Sequence, residues 1–244
     1  MNEESNENTK AIPPTQVDLQ KEIRMKVSRI EKEFQSAFEF ISKFPKSVSF
    51  YGSARVKEGN PHYEQARAIA GHISKKLGYT IITGGSAGIM EAANRGAFEA
   101  GGESVGLNIK LPREQSENMY TTASIEFSYF FVRKLALSFA AEAYIFLPGG
   151  FGTLDEFFEI ITLVQTRKIR KIPIFLVGRD YWEPLHAFIK QNVYEIHQAI
   201  GKGDMSLYTI TDNADEIIEV IRAVPVNDGR LHRTPRAKAK TETA

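Results

Sequence analysis

The sequence predicts an α/β protein: one parallel sheet with helices on both faces, preceded by an extra N-terminal helix. Three observations predict it. Short apolar runs alternate with amphipathic stretches of helical length from residue 47 to residue 222. No internal repeat or linker interrupts the alternation. Glycine-bearing loops recur where strands run into helices. Alternation of this kind builds right-handed crossover units, whose parallel strands are buried on both faces.

Residues 1–15 are polar and contain Pro13 and Pro14, so they are expected to be disordered. Residues 16–224 are expected to form the domain, its N-terminal helix lying within 16–44. There Ile23, Val27, Ile30, Phe34, Phe38 and Ile41 follow steps of three and four, one face of an amphipathic helix. That face is expected to pack outside the sheet or against a partner subunit. Strand 47–51 then leads into helix 61–77, and strand 79–83 into helix 88–100. Strand 104–108 is followed by a long loop, 110–120, of the kind often used as a lid or binding segment. A short strand, 124–127, precedes helix 129–140. Strand 143–147 precedes helix 153–167, strand 172–177 precedes helix 182–195, and strand 208–210 precedes helix 214–222. From Pro225 onward, Arg230, Arg233, Arg236, Lys238 and Lys240 mark a flexible basic tail.

Composition removes several function classes. Thirty-one Lys and Arg oppose 30 Asp and Glu, a net charge of +1. A dedicated nucleic-acid binder carries a stronger basic excess, so a nucleic-acid partner is not expected. The chain has no cysteine, which excludes disulfides, thiolate metal sites and a cysteine nucleophile. The five histidines, at 62, 72, 186, 197 and 232, form no HxxH or HExxH spacing, so no metal site is expected. No apolar run reaches the ~18 residues of a membrane span. The N-terminus lacks a signal-peptide core, and a cytoplasmic protein is expected.

In open parallel sheets, ligands bind beyond the carboxyl ends of the strands. Three loops of this chain lie there: Tyr51-Gly52-Ser53-Ala54-Arg55, Thr83-Gly84-Gly85-Ser86-Ala87-Gly88, and Pro148-Gly149-Gly150-Phe151-Gly152-Thr153. Glycine lets a ligand approach the backbone, and the amides and dipole of the following helix favour an anion such as phosphate. Each loop alone is explained by the tight turn it makes; three on one sheet edge favour a ligand. None is a Walker A loop or a clean GxGxxG.

Thr153 and Glu156 have two readings. Thr-x-x-Glu at a helix start is a capping box, which explains both without chemistry. Position supplies the other, because Glu156 would lie in the first turn, beside any phosphate held at 149–153. A carboxylate there opposes positive charge on a sugar carbon or orients a water. Arg133 and Lys134 stand near a helix start, where a cation opposes the dipole. Either they form a solvated helix edge, or they face a carboxylate or phosphate. Glu114, in the long loop, is either a solvated carboxylate or a ligand for a hydroxyl or amine.

These residues together resemble the Lonely Guy (LOG) family. Pro148 to Glu156 matches its PGGxGTxxE motif, Arg133-Lys134 its upstream Arg-Lys pair, Thr83 to Glu91 its GGGxxGLMG loop, and Leu111-Pro112-Arg113-Glu114 its loop after the third strand. The resemblance covers roughly Val48 to Ile189. It implies a Rossmann-like fold and cleavage of the N-glycosidic bond of AMP or cytokinin riboside 5′-monophosphates, giving free base and ribose 5-phosphate. It implies catalytic roles for Arg133 and Glu156, and phosphate and ribose binding by Gly149, Gly150, Gly152 and Thr153. It implies substrate contacts from Glu114, Lys134 and Thr162; Gly52, Ser53, Gly84 and Gly85 are expected to contact substrate from the neighbouring glycine loops read above. It implies a homodimer or larger homo-oligomer, and no metal or organic cofactor. Thr83 and Glu91 stand where the family motif has glycine, a departure that resembles the longer, bacterial branch. The alternative is a protein of the same fold that binds nucleotides without cleaving them. The family's older lysine decarboxylase label would require pyridoxal phosphate on a lysine, for which no residue context is evident.

Overall fold

A computed structural model describes residues 16–110 and 117–226. Seven strands, β1 (Ser47–Tyr51), β2 (Thr80–Thr83), β3 (Ser104–Ile109), β4 (Ala123–Phe127), β5 (Ala143–Phe146), β6 (Ile174–Leu176) and β7 (Thr209–Ile210), form one sheet. Its order is β4-β3-β2-β1-β5-β6-β7 and every pairing is parallel. The chain steps outward from β1 to β4, then returns to the other side of β1. Register places Ser47 beside Thr80 on one side, and Tyr51 beside Phe146 on the other. The connections after β1 and β5 therefore leave in opposite directions, and the crevice of the sheet opens between them.

Because successive strand residues face opposite sides, the buried strands feed two cores. Val48, Phe50, Ala143, Ile145 and Leu147 pack with α2 (Pro61–Leu77), α3 (Ile89–Glu99) and α7 (Ala214–Ala223). Tyr51, Tyr144 and Phe146 pack on the other face with α1 (Gln16–Ile41), α4 (Phe130–Phe139), α5 (Phe151–Gln165) and α6 (Arg179–Phe188). Local chemistry sets the ends of α2. Asn60 accepts from the His62 amide, Pro61 occupies the first turn, and Gly78 closes the helix at φ 66°.

α1 packs on the outside of the domain over only part of its apolar stripe. Ile30, Phe34, Phe38 and Ile41 pack on the domain, with the Phe34 ring against Phe131 and Phe38 against Phe139. Ile23 and Val27, on the same stripe, are exposed, as are Leu19 and Met25. The periodic face thus continues beyond the surface it covers. α1 also fixes α4. The Glu33 carboxylate accepts the Ser128 amide (3.0 Å) and the Tyr129 amide (2.9 Å) at the entrance of α4. The anion that suits this helix start is therefore Glu33.

Two further boundaries differ. α5 begins at Phe151, with Gly150 as its cap and no side-chain cap bond. The capping box does not form: Thr153 lies inside the first turn, and Glu156 falls in the second turn instead of the first. The helix expected over 182–195 begins earlier, at Arg179, and after Phe188 widens into a π-helical segment, Ile189–Ile196. No helix among the described residues is long and apolar enough to cross a membrane. The segment 1–15, Glu114 and the basic tail after residue 226 lie outside the described residues.

Candidate active site

The crevice between β1 and β5 is a cavity of about 950 Å³, of a size that accepts a small ligand. Its walls are the loops that follow β1, β2 and β5, together with α4 and α5. The Ser53 amide donates to the Pro148 carbonyl (3.0 Å), which ties the first and third loops together. Gly52, Ser53, Gly84, Arg133, Gly149, Gly150, Gly152, Thr153 and Glu156 all line this space. Residues far apart in the chain thus meet at one edge of the sheet.

The glycines have separate reasons. At Gly150 and Gly152 the position of a side chain is open, so the start of α5 is bare toward the cavity. The first amides of a helix lack partners within it, the arrangement by which helix N-termini receive anions; here the Thr153 amide already donates to the Gly150 carbonyl (3.0 Å). A Cβ at Gly149 would overlap the Thr153 side chain, which is buried against that loop. Packing the turn is what Thr153 does in place of capping. The Gly149 carbonyl accepts the Tyr181 hydroxyl (2.7 Å) from α6. A Cβ at Gly84 would overlap the Arg133 guanidinium. Gly84 is small so that Arg133 can lie across it.

Arg133 reaches the cavity from α4. Its Nε donates to the Leu107 carbonyl (2.6 Å), and a terminal nitrogen donates to the Gly84 carbonyl (3.4 Å). Burial lowers its pKa and nearby Glu156 raises it in part; the guanidinium stays charged. It forms no direct ion pair with Glu156 among the described residues. Its influence on the carboxylate acts through space.

Glu156 is 8% exposed, and its Oε2 has no hydrogen-bond partner among the described residues. Native proteins seldom leave a buried carboxylate oxygen unpaired, because desolvating it is costly. Burial pushes its pKa up to about 7, against the pull of Lys134 and then Arg133, with Glu159 and Asp155 adding to the rise. A carboxylate that changes charge near neutrality at the floor of a cleft is the property expected of a functional acid or base.

Not every expected residue comes to the cavity. Lys134 pairs with Asp155 (2.8 Å) and Glu159 (2.7 Å), clamping α4 to α5, and does not line the cavity. It acts on Glu156 as a neighbouring charge. Thr162 is exposed, and its hydroxyl donates back to the Phe158 carbonyl (2.6 Å) within α5. Gly85, at φ 72°, lines a smaller adjoining cavity with Asn108. Tyr51, Arg55 and Phe151, members of the predicted loops given no role of their own, also line the main cavity, as do Phe130 and Tyr181, which were not singled out from the sequence. Phe151, the variable position of the third loop, is 92% exposed at the rim. A strand-end tyrosine and a helix-start phenylalanine look like ordinary core residues until the fold places them.

Parallel sheet, switch-point crevice and bare helix start define a Rossmann-like protein with a cavity at the carboxyl ends of its central strands. Residues 90–221 match the family model described as "Possible lysine decarboxylase", and the chain belongs to that family, the LOG family. The chain is 34% identical to a protein of Oryza sativa subsp. japonica named probable cytokinin riboside 5′-monophosphate phosphoribohydrolase LOGL5, over 63% of each chain. The match therefore spans less than two thirds of that relative's length. It is 28% identical to the Arabidopsis thaliana cytokinin riboside 5′-monophosphate phosphoribohydrolase LOG5, over 79% of this chain and 84% of the relative. Among solved structures, the molybdenum cofactor binding protein of Rippkaea orientalis shares the fold. Its TM-score is 0.52 at 18% identity, over 73% of this chain and 94% of that one. The family's descriptive label does not fit the cavity. Among the described residues no lysine lines it, so none of them places an amine to hold pyridoxal phosphate as a Schiff base.

Proposed function

We propose that this protein is a phosphoribohydrolase. It cleaves the N-glycosidic bond of nucleoside 5′-monophosphates, AMP or cytokinin riboside 5′-monophosphates, releasing the base and ribose 5-phosphate. The observation that carries the reading is Glu156: a buried carboxylate with an unpaired oxygen, one turn below the bare start of α5, in the same cavity. The relatives named above carry this activity in their names.

In this reading the 5′-phosphate sits on the amides at the start of α5, 150–152, which fixes the sugar over Glu156. Positive charge grows on the ribose ring as the C1′–N bond lengthens. The ionised Glu156 opposes that charge. Water attacks C1′, the C1′–N electron pair leaves with the base, and the base takes up a proton. The proton of the attacking water passes to Glu156 or to solvent. Arg133 stays protonated throughout, so it binds and polarises and does not supply the leaving-group proton. The chemistry as written draws on no metal or organic cofactor.

A panel of nucleoside 5′-monophosphates, with the matching nucleosides as controls, tests the reading by chromatography of the released base. Base and ribose 5-phosphate are expected from the phosphorylated substrates, and little from the nucleosides. Tight binding without release would make the protein a nucleotide binder. Equal turnover of nucleosides would remove the phosphate grip.

Because Glu156 acts ionised, kcat/KM for AMP is expected to rise with pH along a limb near 7. That lies above the second ionisation of a phosphate monoester, about 6. The charged groups facing Glu156 are Arg133 and Lys134 from α4 and Asp155 and Glu159 from its own helix. Tyr51 of β1 and Tyr144 of β5 face it from the sheet. Activity that instead fell through pH 7 would make Glu156 a proton donor.

A further inference from the structure

The cavity holds a second side chain whose polar atom has no partner. Tyr51 ends β1 and is 6% exposed, and its hydroxyl is buried with no hydrogen-bond partner among the described residues. Ser49, two residues back on the same strand face, lies close enough to the phenol to lower its pKa, without meeting hydrogen-bond geometry. The Ser49 hydroxyl, however, donates to the Leu137 carbonyl (3.2 Å). The Tyr51 ring does not move freely, since it stacks on Phe146 at 4.5 Å with the planes 11° apart. Tyr51 and Glu156 line the same cavity from facing elements, strand and helix. One orphan is a donor and the other an acceptor. Burying both unpaired costs stability, and such a cost persists where function uses it.

We propose that Tyr51 is a positioning residue for the hydrolysis: its phenol donates a hydrogen bond to Glu156 Oε2 once substrate is bound, leaving the other carboxylate oxygen to face C1′. This rests on the phosphoribohydrolase reading above. The pairing favours the ionised carboxylate, the form the reaction uses. The phenol remains a donor at working pH, because burial and then the Glu156 charge raise its pKa well above the ordinary value. Closing the pair requires a side-chain rotation of Glu156, whereas Tyr51 is held by its stacking on Phe146. No covalent step falls to Tyr51. It keeps its proton while water adds to C1′ and the base departs.

The test is Tyr51→Phe in the full-length protein, with AMP as the probe. The ring and its stacking on Phe146 are retained, so the variant is expected to fold. With an unpaired buried hydroxyl removed, its Tm is expected to equal or exceed that of the parent. kcat is expected to fall about tenfold or more, with KM within about threefold. The acid limb of the kcat profile moves to higher pH, because the ionised carboxylate has lost a donor. In the Glu156→Gln background, Tyr51→Phe is expected to add no further loss, since the two act as one unit. Unchanged kcat with an unmoved acid limb would overturn the inference. A lowered Tm with KM and kcat damaged together and the limb unmoved would overturn it as well, by making the hydroxyl structural. If the parent protein releases no base from any monophosphate, the underlying reading falls. If the parent is active and the variant matches it, only the role of Tyr51 falls.

Discussion

Glu156→Gln is expected to lower base release from AMP about 10³-fold or more, with nucleotide binding largely retained. Glutamine keeps the shape but cannot carry the charge that opposes the oxocarbenium-like state. The same substitution is expected to stabilise the protein at alkaline pH. A carboxylate whose folded pKa is raised to about 7 is most stable below its unfolded value of 4.5, and loses stability as pH rises through 7. That rise corresponds to about 3 kcal/mol of strain on the folded state above pH 7. The glutamine amide leaves its own buried group unpaired, which offsets part of the gain. A net rise on the order of 1 kcal/mol at pH 8, fading toward pH 4.5, is expected from urea unfolding of the two proteins. A loss of activity paired with higher stability is the mark of a strained functional group; a structural residue gives the reverse.

Arg133→Ala is expected to lower kcat/KM about 10²- to 10³-fold. It removes the guanidinium that lies across Gly84 and beside Glu156. The acid limb of the pH profile is expected to move up, because an opposite charge near the carboxylate is lost. Arg133→Lys is expected to rescue little, since an ammonium cannot reproduce the planar reach to both carbonyls. Gly84→Ala supplies an independent check. Its Cβ would displace the guanidinium, so activity is expected to fall about tenfold or more while the sheet stays intact. The double variant is expected to be no worse than Arg133→Ala alone. Additive losses would show that Gly84 matters through the loop backbone and not through Arg133.

The strand and helix order was readable because strands buried on both faces are short apolar runs, and because α2 carries its own start signals at Asn60 and Pro61 and its stop signal at Gly78. The three loops were readable from glycine alone. What escaped was set by tertiary context. Thr153 and Glu156 match a capping box locally, but the helix starts at Gly150, and glycine offers no side-chain signal for that start. Ile23 and Val27 satisfy the helical period, yet periodicity does not say where the covering surface ends. The π-helical turns after Phe188 keep an amphipathic pattern and give no separate sign. Lys134 and Thr162 carry the right chemistry, but ion pairs and a bond within the helix hold them off the cavity. Tyr51 read as a strand-end aromatic. Only the packing of β1 beneath α5 reveals its hydroxyl as unpaired.

The most direct measurement is a crystal structure of the Glu156→Gln variant with AMP bound and uncleaved. The phosphate is expected on the amides at 150–152, with C1′ turned toward the residue 156 side chain and Arg133 still resting on the carbonyls of Gly84 and Leu107. A phosphate bound elsewhere, or a ribose whose C1′ faces away from residue 156, would contradict the proposed chemistry.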